Sequence, residues 1–425
     1  MVCGDALYQQ FVNILKEELR PAMGCTEPIA LAYAAARARD VLGAVPERVE
    51  AFVSGNIIKN VKSVVVPNTG GLHGIAAAIC AGLIAGDAGK ELQVISSVTE
   101  QQRQALKDYL ALDPVRISPA ESELIFDIDL RLYKDGHQAR LRIANHHTNI
   151  VHISRDAEIL LDLPVAEASE DHLTDKSCLS IERIAEFADV LDVEDIRSCV
   201  GRQIEANMAI AREGIQGNWG ANIGSVILRR QGETVARKAA AYAAAGSDAR
   251  MSGCEMPVII ISGSGNQGIT ASVPVAIYAE EFGVTEDKLL RSVALSDLVT
   301  IHQKAGIGRL SAYCGAISAG CGAGAGIAYL LGGDAHAIAH TVVNAIAILS
   351  GTICDGAKPS CAAKIAAAVD AGILGYDMYL EHQQFLGGDG IVTKGADKTV
   401  KNVGRLAREG MRQTDKTILQ IMLDE

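Results

Sequence analysis

One stretch constrains this chain more than any other, CGAISAGCGAGAGIAYLLGGDAHAIAHTVVNAIAILSGTICDGAKPSC, running from Cys314 to Cys361. Between the glycine-rich segment at 320–326 and Gly351 it reads as almost wholly apolar and helical, broken at Gly332 and Gly333, with Asp334 as the N-cap of its second half. A helix that is apolar all round must be buried, so this stretch predicts the centre of a helical domain. It also carries four of the ten cysteines. Cys354 and Cys361 are expected in the loop after the helix, where Asp355, Gly356 and Pro359 oppose regular structure and leave thiols free to face a common centre.

A free cysteine is usually a small apolar filler, but a C-x6-C pair beside Asp-Gly and Lys-Pro is not core-like. Zinc prefers four ligands at tighter spacing, which the stretch lacks. Three thiolates without an evident fourth suit an iron–sulfur cluster with one open iron. The first ligand is either Cys314 or Cys321, since the residues alone do not say which faces the loop.

From the N-terminus, Leu7, Phe11, Leu15 and Leu19 give helical spacing over 5–19, which Pro21 stops. PAMGCTEP then forms a turn holding Cys25 and opens an alanine-rich helix to about Val41. A thiol at a helix N-terminus is favoured as thiolate by the macrodipole, so a lowered pKa is expected unless Cys25 is a buried capping residue. Residues 47–66 read as strands, followed by a helix over 75–84, a strand at 92–96, a helix over 99–112, and strands near 121–132 and 138–153. After a polar linker from Asp171 to Lys176 the chain reads as helical, except for an apolar strand leading into SGSGNQG at 262–268. The expectation is an α+β protein: N-terminal helices with the Cys25 turn (1–44) on a helical iron–sulfur domain (176–425), and a smaller α/β domain (45–175).

Several polar groups are placed to grip a carboxylate, or else belong to ordinary turns: Lys59, Asn60, Asn68 and His73 at strand ends and in a glycine-rich loop. Gly263, Gly265 and Gly268 satisfy G-x-G-x-x-G, but no βαβ unit precedes them and Pro274 interrupts the helix that should follow. The backbone from Ser262 to Gly268, with Ser262, Ser264, Gly265, Asn266 and Gln267, reads better as an anion nest for a substrate carboxylate. In NHHTN (145–149), adjacent strand histidines would point to opposite faces, which argues against a metal and leaves substrate contact open. His336 and His340, at i and i+4, lack a third ligand and read as buried structural histidines. Lys304 and Arg309 precede Cys314 closely and either balance cluster charge or lie on the surface. The glycine-rich segment from Glu381 to Ala407 is read as a lid or an oligomer contact.

A net charge of −12 without a basic cluster argues against nucleic acid and anionic membranes as partners. No apolar run is long enough to span a bilayer, since His336, His340, Thr341 and Asn344 interrupt 335–353, and the opening MVCGDALYQQ does not read as a signal peptide. Ten cysteines without secreted-type spacing point to a reducing cytoplasm.

The spacing C-x39-C-x6-C at Cys314, Cys354 and Cys361, together with PAMGCTEP, GNIIKNV (55–61) and SGSGNQG, resembles the iron–sulfur L-cysteine desulfidases and the YhaM-like (UPF0597) proteins over essentially the whole chain. These are relatives of the iron–sulfur L-serine dehydratase alpha chains. The resemblance implies a 4Fe-4S cluster on Cys314, Cys354 and Cys361, and Cys25 as the proton acceptor. It implies a homo-oligomeric lyase converting L-cysteine to pyruvate, ammonia and sulfide. The serine dehydratases carry a C-terminal cysteine able to fill the fourth iron, whereas the last cysteine here is Cys361, so that iron is expected to stay open.

Overall fold

The computed structural model describes residues 1–122, 124–165, 173–308 and 311–424, so Arg309 and the start of the linker at Asp171 fall outside it. The chain is α+β, as expected, with two buried cores. The smaller core lies under a six-stranded sheet in the order β3-β2-β4-β5-β6-β7. These strands are β2 (Arg48–Val53), β3 (Val115–Pro119), β4 (Asp127–Lys134), β5 (His137–Ala144), β6 (Ile150–Arg155) and β7 (Glu158–Asp162). Only β2 and β3 pair in parallel; the other neighbours are antiparallel. Alternation along β5 sends Ala139, Leu141 and Ile143 inward, against the helix Thr26–Leu42, on which Gly74–Ala85 packs in turn. The alanines of Thr26–Leu42 let that helix lie close to the sheet.

The larger core belongs to the helical body. Its centre is formed by the helices Glu286–Ile307, Gly315–Leu330, Ala335–Leu349 and Cys361–Leu380, with Asp334 capping the third through Ala337 N. A two-stranded antiparallel pair, β1 (Arg20–Met23) with β8 (Pro257–Ile260), joins the chain around Cys25 to this body. The helix Ala6–Glu18 packs in the helical core while Thr26–Leu42 packs in the sheet core. The segment 1–44, expected as one unit on the helical domain, is therefore divided at the Cys25 turn, which places Cys25 at the junction of the two cores. Among the described residues no helix is long and apolar enough to cross a membrane.

Several elements differ from their expected form. GNIIKNV is the helix Gly55–Val61, not the end of a strand; its Ile57, Ile58 and Val61 bury one helical face, and in seven residues helical and strand periods are hard to separate. The segment at 92–96 is a 3-10 turn and its continuation. The helix Val235–Met251 runs on through the polar GSDARM. Gly265–Phe282 continues through Pro274, where burial of nearly every neighbour offsets the lost backbone hydrogen bond. Cys361 is the first residue of a helix and not a loop residue.

Candidate functional site

A cavity of about 680 Å³ is lined by side chains of both cores. Cys25 enters it from the N-cap of Thr26–Leu42. Its thiol donates to Glu27 Oε2 at 3.0 Å; Thr26 Oγ1 donates to the same oxygen at 3.1 Å, and Asn60 Nδ2 to Oε1 at 3.2 Å. Burial and the Glu27 carboxylate push the Cys25 thiol well above its ordinary range, against the pull of Arg250. The expected lowering by the helix dipole is thus overturned: one turn of partial charge is outweighed by complete desolvation and an adjacent anion.

Cys314, Cys354 and Cys361 line the same cavity. Cys314 caps Gly315–Leu330, and Cys361 begins Cys361–Leu380. Cys354 is tied beside Cys314 by a short bridge in which Cys314 N donates to Thr352 O (3.1 Å) and Cys354 N to Ala312 O (2.6 Å). Burial, then the neighbouring Cys354, pushes the Cys314 thiol up to about 12. Lys364 reaches over this group, donating to Ile353 O and to Asp355 Oδ1. Cys321 lies in the interior of Gly315–Leu330 at 1% exposure and does not line the cavity.

Among the described residues no three His, Cys, Asp or Glu side chains converge on a point that would hold a single ion. A cysteine-held cluster sets a different demand, because its thiolates bind separate irons and need not converge. Three thiols on one cavity wall fit that donor set. Buried polar atoms beside them that have no partner among the described residues, Tyr313 Oη and Gln267 Oε1, mark a wall built to face something polar.

Of the expected substrate contacts, Lys59, Asn60, Ser262, Ser264, Asn266 and Gln267 line the cavity. Lys59 is 3% exposed, and its ammonium pairs with Asp415 of the final helix. Ser262 sits at φ +47 and Gly263 at φ +79, a left-handed turn between β8 and the helix capped by Ser264. Gly265 lies beneath Arg250 in the wall. Asn68 and His73 stand apart: Asn68 Nδ2 donates to Ile95 O at 2.8 Å, and His73 is an exposed residue before Gly74–Ala85.

Two residues that the sequence did not single out, Glu27 and Arg250, complete the site. Glu27 was visible only as part of PAMGCTEP, and Arg250 lies in the polar end of Val235–Met251, which carries no motif. Asn145, His146 and His147 all reach the cavity because they form a turn between β5 and β6, so strand alternation does not apply to them. Lys304, 4% exposed, lines the cavity from the last turn of Glu286–Ile307 and is not a surface residue. His336 and His340 pair with each other at 3.0 Å on an exposed face instead of being buried.

Residues 89–420 match the family model described as serine dehydratase alpha chain. A UPF0597 protein of Desulfitobacterium hafniense is 58% identical over 99% of this chain and 98% of its own length. Others from Lachnoclostridium phytofermentans (47% identical, 98% of this chain, 100% of the relative) and Treponema denticola (42%, 98% of each) are similar throughout. The chain therefore belongs to the serine dehydratase alpha-chain family and to the UPF0597 group of proteins.

Proposed function

We propose that this protein is an L-cysteine desulfidase, a lyase that eliminates hydrogen sulfide from L-cysteine and leaves pyruvate and ammonia. The observation that carries the reading is one cavity lined both by the Cys25–Glu27 pair and by Cys314, Cys354 and Cys361. Membership of the serine dehydratase alpha-chain family supports β-elimination from an amino acid. Cys314, Cys354 and Cys361 would hold a 4Fe-4S cluster. When bound, it supplies a Lewis acid for the departing sulfur at the iron that has no protein ligand. Ten unpaired cysteines support a reducing, cytoplasmic setting.

The chain's own residues handle the proton. Glu27, held by Thr26 and Asn60, accepts the Cys25 thiol proton. The thiolate so formed takes the α-proton of L-cysteine as the Cβ–S bond breaks and its electron pair leaves on sulfur as hydrosulfide, which takes up the proton held by Glu27 and departs as hydrogen sulfide. The resulting 2-aminoacrylate tautomerises to the imine, which water converts to pyruvate and ammonia. Burial of Cys25 keeps water from competing for the proton.

The family description favours L-serine as the competing substrate. Hydrosulfide, however, is a far weaker base than hydroxide and leaves far more readily. With anaerobically purified protein, sulfide from L-cysteine should exceed pyruvate from L-serine by at least about tenfold in kcat/KM, about 1.4 kcal/mol of discrimination. Equal or better turnover of L-serine would replace the desulfidase reading with a dehydratase.

A further inference from the structure

We propose that Arg250 is the receptor for the substrate's α-carboxylate, with Asn266 fixing the plane of its guanidinium. The proposal rests on the reading of the cavity as an amino-acid site and assigns the group that would select for a free carboxylate.

Arg250 lies in the last turn of Val235–Met251, 3% exposed, and lines the cavity. Nη1 donates to Asn266 Oδ1 at 3.1 Å, while Nε has no hydrogen-bond partner among the described residues. No carboxylate of a described residue lies within ion-pair distance of it. A buried guanidinium with an unmade bond is expensive to maintain, and an arriving anion removes that penalty. The fork of a guanidinium matches a carboxylate in bidentate geometry, which neither Lys304 nor the paired Lys59 can reproduce.

The position follows from two neighbours. A side-chain carbon at Gly265 would stand 2.3 Å from Arg250 Nε, so this glycine lets the guanidinium lie against the N-terminus of Gly265–Phe282. The first amides of that helix favour an anion at the same place. Arg250 is also close enough to Cys25 to draw its thiol pKa down against burial and Glu27. In an amino acid the carboxylate and the acidic hydrogen sit on one carbon, so the receptor and the base must be neighbours, as Arg250 and Cys25 are. Lactone, ester and amide analogues lack the second anionic oxygen that a bidentate pair requires.

L-alanine and L-alaninamide have no β leaving group and differ only at this position, so calorimetric binding to the anaerobic full-length protein isolates the carboxylate. The wild type should bind L-alanine at least about tenfold more tightly than L-alaninamide. Arg250→Gln should abolish the preference, and Arg250→Lys should keep only part of it, with L-cysteine turnover showing a raised KM before any fall in kcat. Absence of the preference in the wild type, which needs no variant to fold, overturns the assignment; so does its survival in Arg250→Gln. A preserved preference without sulfide release from L-cysteine supports Arg250 as the receptor while removing the desulfidase reading.

Discussion

Cys25 Sγ and Glu27 Oε2 stand 3.0 Å apart at the start of a buried helix, with the thiol proton directed at the carboxylate. Burial first, and then Glu27, holds that thiol well above its ordinary pKa, so it is protonated near neutrality. If the proton passes internally, resting and reactive forms carry the same number of protons. The rate with L-cysteine should then be flat with pH around neutrality.

Glu27→Gln removes the acceptor, and the thiol proton must leave to solvent. The rate should fall by at least about a hundredfold at neutral pH, the low end of a general-base contribution. It should then rise about tenfold per pH unit up to the thiol pKa. A wild-type profile with that rising slope, or a flat one in the variant, would sink the internal transfer. Cys25→Ser should lose activity to a similar degree yet keep its iron, and loss of iron would make Cys25 a ligand.

The ligand set is checked by colour and analysis. Cys314→Ala, Cys354→Ala and Cys361→Ala should each bleach anaerobically prepared protein and release acid-labile sulfide. Cys321→Ala should leave both in place, because Cys321 points into its helix packing and away from the cavity. Iron lost on the Cys321 change alone would reassign the first ligand.

What was legible in the sequence depended on how local the determinants are. The apolar run around 335–349, the Asp334 cap and the turn at Cys25 are written in neighbouring residues, and each appears where expected. Arg250 was not legible, because its helix runs one turn past the polar residues Ser247 and Asp248, which are buried by tertiary packing. Lys59 read as a carboxylate grip because its partner, Asp415, is 356 residues away on the last helix. The histidine turn at 145–149 defeated the strand pattern, since a tight β5–β6 connection leaves no alternation to apply.

That Lys59–Asp415 pair fastens the final helix, Arg412–Leu423, over Gly55–Val61. The Lys59 side chain is 2% exposed and that of Asp415 28%. Asp415→Asn leaves a buried ammonium without its counter-charge. The expected loss is about 1–3 kcal/mol, below the full value for a buried pair because water reaches Asp415. Urea unfolding measures it, and an unchanged midpoint would show the pair to be energetically neutral.

The geometry of the cysteines rests on a close helix crossing. Gly315–Leu330 starts directly after Cys314, and Cys361–Leu380 starts on Cys361. The two helices meet where a side-chain carbon on Gly372 would lie 2.2 Å from Gly320 O, and one on Gly324 would lie 2.4 Å from Gly372 O. Both obstacles are backbone atoms, so Gly372→Ala can be accommodated only by moving one helix against the other. The expected destabilisation is about 1–3 kcal/mol, as for other overpacked cores. The same movement shifts Cys361 relative to Cys314, so iron bound per chain should fall together with the unfolding midpoint. Gly351→Ala serves as the control, since an added carbon there meets nothing within 4 Å; it should change stability by less than about 0.5 kcal/mol and leave the iron content unaltered. Wild-type iron in a destabilised Gly372→Ala would separate the crossing from the site and show that the loop around Cys354 positions the thiols by itself.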